Sequence, residues 1–402
     1  MSSIWEALDL VARWIHVIAG IMWVGNSLLF NWLDRSLVKT TGPGQTAKPV
    51  GKIWLLHSGG FYYVEKTLLD DEKMPERVHW FMWQAYTTWI SGALLLIIVY
   101  YAGGRAVMAD PTVADLAHWQ AVLIGIGAIV LGRTIYDAMQ RLAPRSPAVA
   151  TAIWMIALTA IAIALTQLLN GRAAFLHVGA MLGTIMAGNV GSTIVPSQKD
   201  LVAAVNERRG TSQAISDKAK RVSIHNNYFT FPVIVLMLVS HFPSIYGHRW
   251  NWLLLLVLVA GGAAVRHALN IRWTYAPWKP DLAGAIAATV IAMWAILNFD
   301  RARSVSVSSV SSVGSVATFE EVRHIIDRRC SVCHSESPTD VSLGRTPAGI
   351  MFDTPQQIMM HAARINERAV ITRTMPPANK TGITDDERAT IGRWIAAGAT
   401  VD

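Results

Sequence analysis

Cys330-Ser331-Val332-Cys333-His334 is the stretch that decides how the rest of this chain is read. Its spacing, C-x-x-C-H, is the attachment signature of a c-type haem. Each cysteine sulfur can form a thioether with a haem vinyl group, and His334 then sets an imidazole under the iron. The chain has 2 cysteines and both lie here. A zinc site of this kind would want a second C-x-x-C or a distant histidine pair, and a disulfide framework would need more cysteines. A chance occurrence in an unrelated loop is the plain alternative.

The surroundings of the motif read as a small helical domain over residues 318–402. Phe319 to Arg329 forms a helix leading into the motif. Thr384 and Glu387 make an S/T-x-x-E capping box that opens a helix through about Ala397. That helix carries Ile391, Trp394 and Ile395 on its apolar side. Two helices closing on a haem is the pattern of a class I cytochrome c, and a covalent group would supply much of so small a core. The sixth iron ligand falls downstream. Met375, followed by Pro376 and Pro377, offers a thioether on a rigid turn, which suits an electron acceptor. His361 is the rival, and packing in a loop is the other reading of Met375.

Upstream, the composition changes. The chain is 52% hydrophobic and 15% charged, against about 25% charged in ordinary soluble domains. Eight apolar runs of spanning length lie near 8–30, 81–101, 119–137, 148–168, 173–195, 228–242, 252–270 and 281–299. The fold expected is all-α: an eight-helix bundle in a lipid bilayer over 1–300, a Ser/Val tether over 301–317, then the cytochrome domain. The first run lacks a basic n-region and a cleavage site, so it reads as a span and not a signal peptide. The net charge of +8 sits in short loops, which points to membrane orientation and not to nucleic acid. Loops after the odd-numbered runs hold 17 Lys and Arg, and the N-terminal and even-numbered segments hold 4. That bias puts both termini outside. In a bacterial inner membrane this is the periplasmic side, where c-type haem is attached.

Histidines and charges at membrane depth form two sets. Nearer the outside are His16, on a face with Gly20, Trp23 and Ser27, and His177, on a face with Met181, Thr184 and Gly188. A b-type haem held between them is one reading, with His241 as an alternative ligand. A helix–helix hydrogen bond from each is the other. Nearer the inside are Arg266-His267, His225-Asn226-Asn227-Tyr228, Arg133 with Asp137, and the loop around His57-Ser58-Gly59-Gly60-Phe61. The glycine pair flanked by aromatics could admit a planar ligand. Arg266 could meet an anion in a dry site; snorkelling to the headgroups is the alternative. For Arg133 the alternative is an i,i+4 pair with Asp137.

The chain resembles the membrane-bound, cytochrome-c-containing urate oxidases over nearly its whole length. The likeness rests on Arg13-Trp14-Ile15-His16-Val17-Ile18-Ala19-Gly20-Ile21-Met22-Trp23-Val24-Gly25, on His57 to Phe61, and on His225 to Pro232. The first run also resembles the haem-b helix of small membrane oxidoreductases acting on porphyrin precursors, which favours His16 as a ligand. The Ser/Val segment departs from the family pattern. The resemblance implies urate as substrate and 5-hydroxyisourate as product. It also implies electron exit through haem c to a respiratory-chain cytochrome or oxidase, without hydrogen peroxide. The residues expected to act on urate are Arg266, His267, His225, Asn226 and His57. A membrane dehydrogenase of another reductant, such as a quinol, and a relay subunit without turnover are the competing readings.

Overall fold

The structure, a computed structural model, describes residues 3–39, 51–66, 74–142, 144–209, 213–308, 317–340 and 347–401. It is mostly helical. Eight helices among the described residues are long and apolar enough to cross a membrane, one for each apolar run. Helix α1 spans Ser3–Ser36. Helix α2, Met82–Leu95, continues as a π-turn over Leu96–Tyr101, and the short α3 covers Arg105–Met108. Helices α4 and α5 span His118–Leu142 and Pro147–Leu168. Helix α6, Gly171–Asn189, is capped by the Asn170 side chain. It passes through a π-turn at Val190–Ile194 into α7, Val195–Asn206. Helix α8 is Gln213–Val239, longer toward its start than the apolar run. The short α9 is Pro243–Tyr246, and α10 and α11 span Asn251–Ile271 and Trp278–Ser308. Helix α11 thus covers residues 301–308 of the expected tether, and 309–316 lie outside the described residues.

Lipid is as apolar as leucine, so close backbone approach and polar contacts must join such helices. The α4–α6 seam shows this. Gly125 and Gly132 of α4 make room for His177 and Met181, while Gly188 of α6 makes room for Arg133. Helix α6 is the hub, with Phe175, Val178, Met181, Leu182 and Ile185 fully buried. Helix α1 packs chiefly on α2 and leaves much of its surface outward.

An all-helical fold was expected, and one region departs from it. Strands β1 (Val38–Lys39), β2 (Gly51–His57) and β3 (Gly60–Lys66) form an antiparallel sheet in the order β1-β2-β3. Trp54 faces Tyr63, Leu56 faces Phe61, and His57 faces Gly60. The two loop residues, Ser58 and Gly59, have φ of 50° and 76°. Positive φ at both positions is what a tight turn between right-twisting strands demands, and glycine adopts it without strain.

The C-terminal unit is built from α12 (Phe319–Arg329), α13 (Pro355–Met360), α14 (Ala362–Ile365) and α15 (Asp385–Ala396). A π-turn, Asn366–Ile371, follows α14. Three capping boxes start its helices: Thr318 with Glu321, Thr354 with Gln357, and Thr384 with Glu387. Its core joins Val322, Ile326, Phe352, Ile358, Ile391 and Trp394. This unit rests on one end of the bundle, against α3 and α9. The hairpin belongs to the loop at the opposite end.

Candidate functional site

A cavity of about 2020 Å³ lies between the α1–α2 pair and helices α6 and α8. Ordinary small-molecule pockets hold roughly 300–1,000 Å³, so there is room for more than one small ligand. Arg13, Tyr100, Arg172 and His241 line its end beneath the C-terminal unit; Asp34, Arg35, Lys66 and Lys220 line its hairpin end. The wall between is largely apolar, with Gly20, Gly179 and Gly183 leaving it smooth.

His16 sits on this wall. Its Nδ1 lies 2.9 Å from the Thr88 carbonyl and 3.2 Å from Ser91 Oγ. A carbonyl only accepts, so Nδ1 carries the proton and Nε2 keeps a lone pair. No hydrogen bond engages Nε2 among the described residues. The ring packs against α2 where Gly92 has no side chain; a Cβ there would come within 2.9 Å of it.

His177 differs. It is fully buried and does not line the cavity. Its Nδ1 donates to Ala173 O at 2.7 Å, and its Nε2 accepts from Tyr101 OH at 3.2 Å. Both nitrogens are used, and the ring occupies the space left by Gly125 of α4. The structure therefore does not bring His16 and His177 onto one ligand. His177 is a helix–helix fastener, and His241 is the other histidine on the cavity.

The inner set divides in two, and the division falls between neighbouring asparagines. His225, Asn226, Tyr136, Asn189, Gln140 and Arg133 make one network. Asn189 donates to Tyr136 OH at 3.0 Å and to Asn226 Oδ1 at 2.9 Å. Tyr136 OH and Gln140 Nε2 lie 2.8 and 2.9 Å from His225 Nδ1. Arg133 pairs with Asp137 at 2.9 Å, the helical i,i+4 pair, and donates to Ile185 O and Asn189 Oδ1. Asn226 touches the cavity, but His225 is off it.

Arg266 anchors the second cluster. It is fully buried, so it does not snorkel. Its Nε donates to Asn227 Oδ1 at 2.8 Å and its Nη2 to Ser27 Oγ at 3.2 Å. Asn270 donates to the same Asn227 oxygen at 2.6 Å. The guanidinium lies 5.3 Å from the Phe231 ring. None of these partners carries a negative charge, and Nη1 is buried without a partner among the described residues. Ser27, Asn227 and Asn270 line the cavity, as do Asn26 and Gln84, which bond each other at 2.6 Å. A buried cation without an anion is costly in a dry site. At the cavity's other end, Arg172 Nε is likewise buried and unpartnered.

Tyr228 also lines the cavity, and its hydroxyl lies 2.6 Å from Nδ1 of the exposed His267. His57 is exposed at the hairpin tip beside Ser58 Oγ and is not on the cavity. Leu56 and Phe61 are also exposed there, at 70% and 75%. The planar-ligand reading of the glycine pair is thus replaced by a hairpin turn. Asn270 was missed in the sequence; Asn227 was quoted within the inner set, but its neighbour Asn226 was the one expected to act on the substrate.

The model of the urate oxidase N-terminal family matches residues 2–297. The chain belongs to that family. Among curated proteins, and among solved structures, nothing matches it. The matched urate oxidase N-terminal region takes in all eight spanning helices, the hairpin and the cavity, and ends before the C-terminal unit. Membership points to urate and to an oxidoreductase, in a chain built as a multi-pass membrane protein.

In the C-terminal unit, beyond the family match, Cys330, Cys333 and His334 occupy one turn after α12. The His334 N–H donates to Cys330 O at 2.9 Å. Both cysteines are free, and burial pushes the Cys330 thiol up to about 12. His334 Nδ1 donates to Ile350 O at 2.9 Å, leaving Nε2 unengaged, the same arrangement as in His16. Burial holds the His334 ring below the usual histidine range. The Met375 turn is braced by Arg388, which donates to Met375 O at 2.9 Å and to Ala369 O. His361 lies by Phe352, with ring centroids 6.1 Å apart. No three His, Cys, Asp or Glu converge among the described residues.

Proposed function

We propose that this chain oxidises urate within the membrane bundle and passes the electrons to a haem c carried by its own C-terminal unit. The observation that carries the reading is Arg266, a fully buried cation set behind the cavity wall: its neutral neighbours Ser27, Asn227 and Asn270 line the cavity, and its Nη1 has no partner among the described residues. Urate is a planar anion near neutral pH. Arg266 would meet its charge through Nη1. The amides of Asn26, Gln84, Asn227 and Asn270 offer both donors and acceptors to the edges of a purine ring. The amides near Arg172, those of Asn170 and Asn251, are off the cavity wall, so it is the weaker candidate for urate.

Urate monoanion and water give 5-hydroxyisourate, two electrons and one proton. Tyr228 and His267 would supply a route for the proton: the phenol stands on the cavity, and the imidazole 2.6 Å away, on the outer face of α10 one turn from its end, would carry it toward the membrane surface. Cys330 and Cys333 would hold haem c by thioethers, with His334 Nε2 and Met375 as ligands. When bound, that haem takes up one electron at a time. His16, with His241 as the second histidine on the wall, would hold a b-type haem, and Arg172 would meet its carboxylates. Such a group would divide the electron pair before haem c. The orientation proposed sets the C-terminal unit in the periplasm of a bacterial inner membrane, where a respiratory-chain cytochrome or oxidase would receive the electrons.

A pyridine haemochrome spectrum of the purified protein, taken with and without urate, tests the reading. Covalent haem that is reduced by urate is expected. A chain lacking covalent haem, or one whose haem ignores urate, would end it.

A further inference from the structure

The C-terminal unit does not meet the bundle at random. Its π-turn Asn366–Ile371 packs on α9, and its turn Pro377–Asn379 packs on α3. Between them, Thr374 sits over Gly247. A Cβ on Gly247 would come within 2.6 Å of Thr374 Cγ2 and 3.1 Å of Thr372 O, and within 2.8 Å of Pro243 O in its own turn. The Arg368 side chain reaches that of Tyr246, which is itself buried. Tyr246 O accepts from Asn251 Nδ2 at 3.0 Å, which ties this seat to the first turn of α10.

What sits on the seat is the segment that presents Met375. Met375 N–H donates to Arg368 O at 2.9 Å, so the residue that grips Tyr246 also holds the methionine's backbone. Arg388 holds its other side through Met375 O, Ala369 O and Asn379 Oδ1. Below the seat, Tyr100 and Arg172 line the near end of the cavity.

We propose that Tyr246, Gly247 and α3 form a built docking seat for the Met375 turn, and that electrons cross from bundle to C-terminal unit at this junction. The inference rests on the haem c reading for what crosses; the seat itself does not. Gly247 is a positioning residue here, since only a hydrogen atom allows Thr374 so close. Docking this way presents the methionine edge of the unit to the bundle.

The test uses the full-length holoprotein with Gly247→Val and, separately, Arg368→Gln. Two readouts are taken: amide hydrogen exchange of residues 366–380, and the rate at which urate reduces haem c. The haemochrome count, the Met–iron absorption band and reduction by dithionite serve as controls. Both variants should keep the controls, exchange faster over 366–380, and be reduced by urate at least about tenfold more slowly, since a small misplacement of reacting partners is costly. Unchanged exchange in both variants would overturn the seat. Faster exchange with an unchanged reduction rate would overturn its role as the crossing point. If the wild-type haem is absent or ignores urate, the functional reading falls, and hydrogen exchange still decides whether the seat exists.

Discussion

Two polar clusters lie within the membrane bundle, and adjacent residues belong to different ones. Asn226 joins Tyr136, Asn189 and His225, where the side-chain hydrogen bonds close on one another. Asn227 joins Arg266, Ser27 and Asn270, where a guanidinium nitrogen is left over among the described residues, behind side chains that line a cavity. Both sets look functional in a sequence, because ionisable residues are rare at that depth. The difference is satisfaction. A closed network stabilises one arrangement of helices; an open one marks where another molecule belongs.

The largest effect separating the two should come from Arg266→Gln. Removing the charge while keeping an amide should raise the urate KM about a hundredfold, in line with the loss of a buried charged contact. Steady-state kinetics on the purified protein measures it, and an unchanged KM would remove Arg266 from the site. Tyr136→Phe should do the reverse. It leaves Asn189 and His225 short of a partner and should cost about 1–3 kcal/mol of stability. A lower Tm with an intact urate KM is expected; a shifted KM would dissolve the distinction between the clusters. Ser27→Ala deletes one hydrogen bond from the Arg266 cation to a neutral hydroxyl, so a change of roughly fivefold in KM is expected.

The smallest effect concerns a charged cluster in the C-terminal unit. Burial pushes the Glu387 carboxyl up, but the Thr384 N–H and the Arg329 and Arg328 guanidinium groups outweigh it and bring it down to about 2. A depressed carboxylate adds stability above its ordinary range, and that contribution is lost as pH falls toward the folded value. The Tm gap between wild type and Glu387→Gln should therefore narrow between about pH 6 and about pH 3. A gap independent of pH would show that the carboxylate contributes nothing as a charge.

The eight spans were legible because hydropathy over some twenty residues is a one-dimensional signal. The capping box at Thr384 and Glu387 was legible for a similar reason: it is local. The hairpin was misread, although alternation through Trp54–Leu56 and a Gly59-Gly60 pair carries the period-two signal of strands. Its aromatics drew attention as ligand contacts instead. His16 and His177 looked alike on their helix faces. What separates them is which helix each ring meets, Gly92 of α2 or Gly125 of α4, and whether a tyrosine closes the second nitrogen. Those are facts of tertiary packing, as is the assembly of Ser27, Asn227 and Asn270 from three helices around Arg266.

His16 and His334 lie in unlike surroundings yet share one device: Nδ1 is tied to a peptide oxygen, of Thr88 in one case and Ile350 in the other. A main-chain oxygen survives every side-chain replacement at its position. The proton on each ring is therefore assigned by backbone path, beyond the reach of ordinary point mutation at Thr88 or Ile350. Only a change in helix register or loop length would reassign it, so variation among relatives should reach these two imidazoles through insertions and deletions before it does so through substitutions.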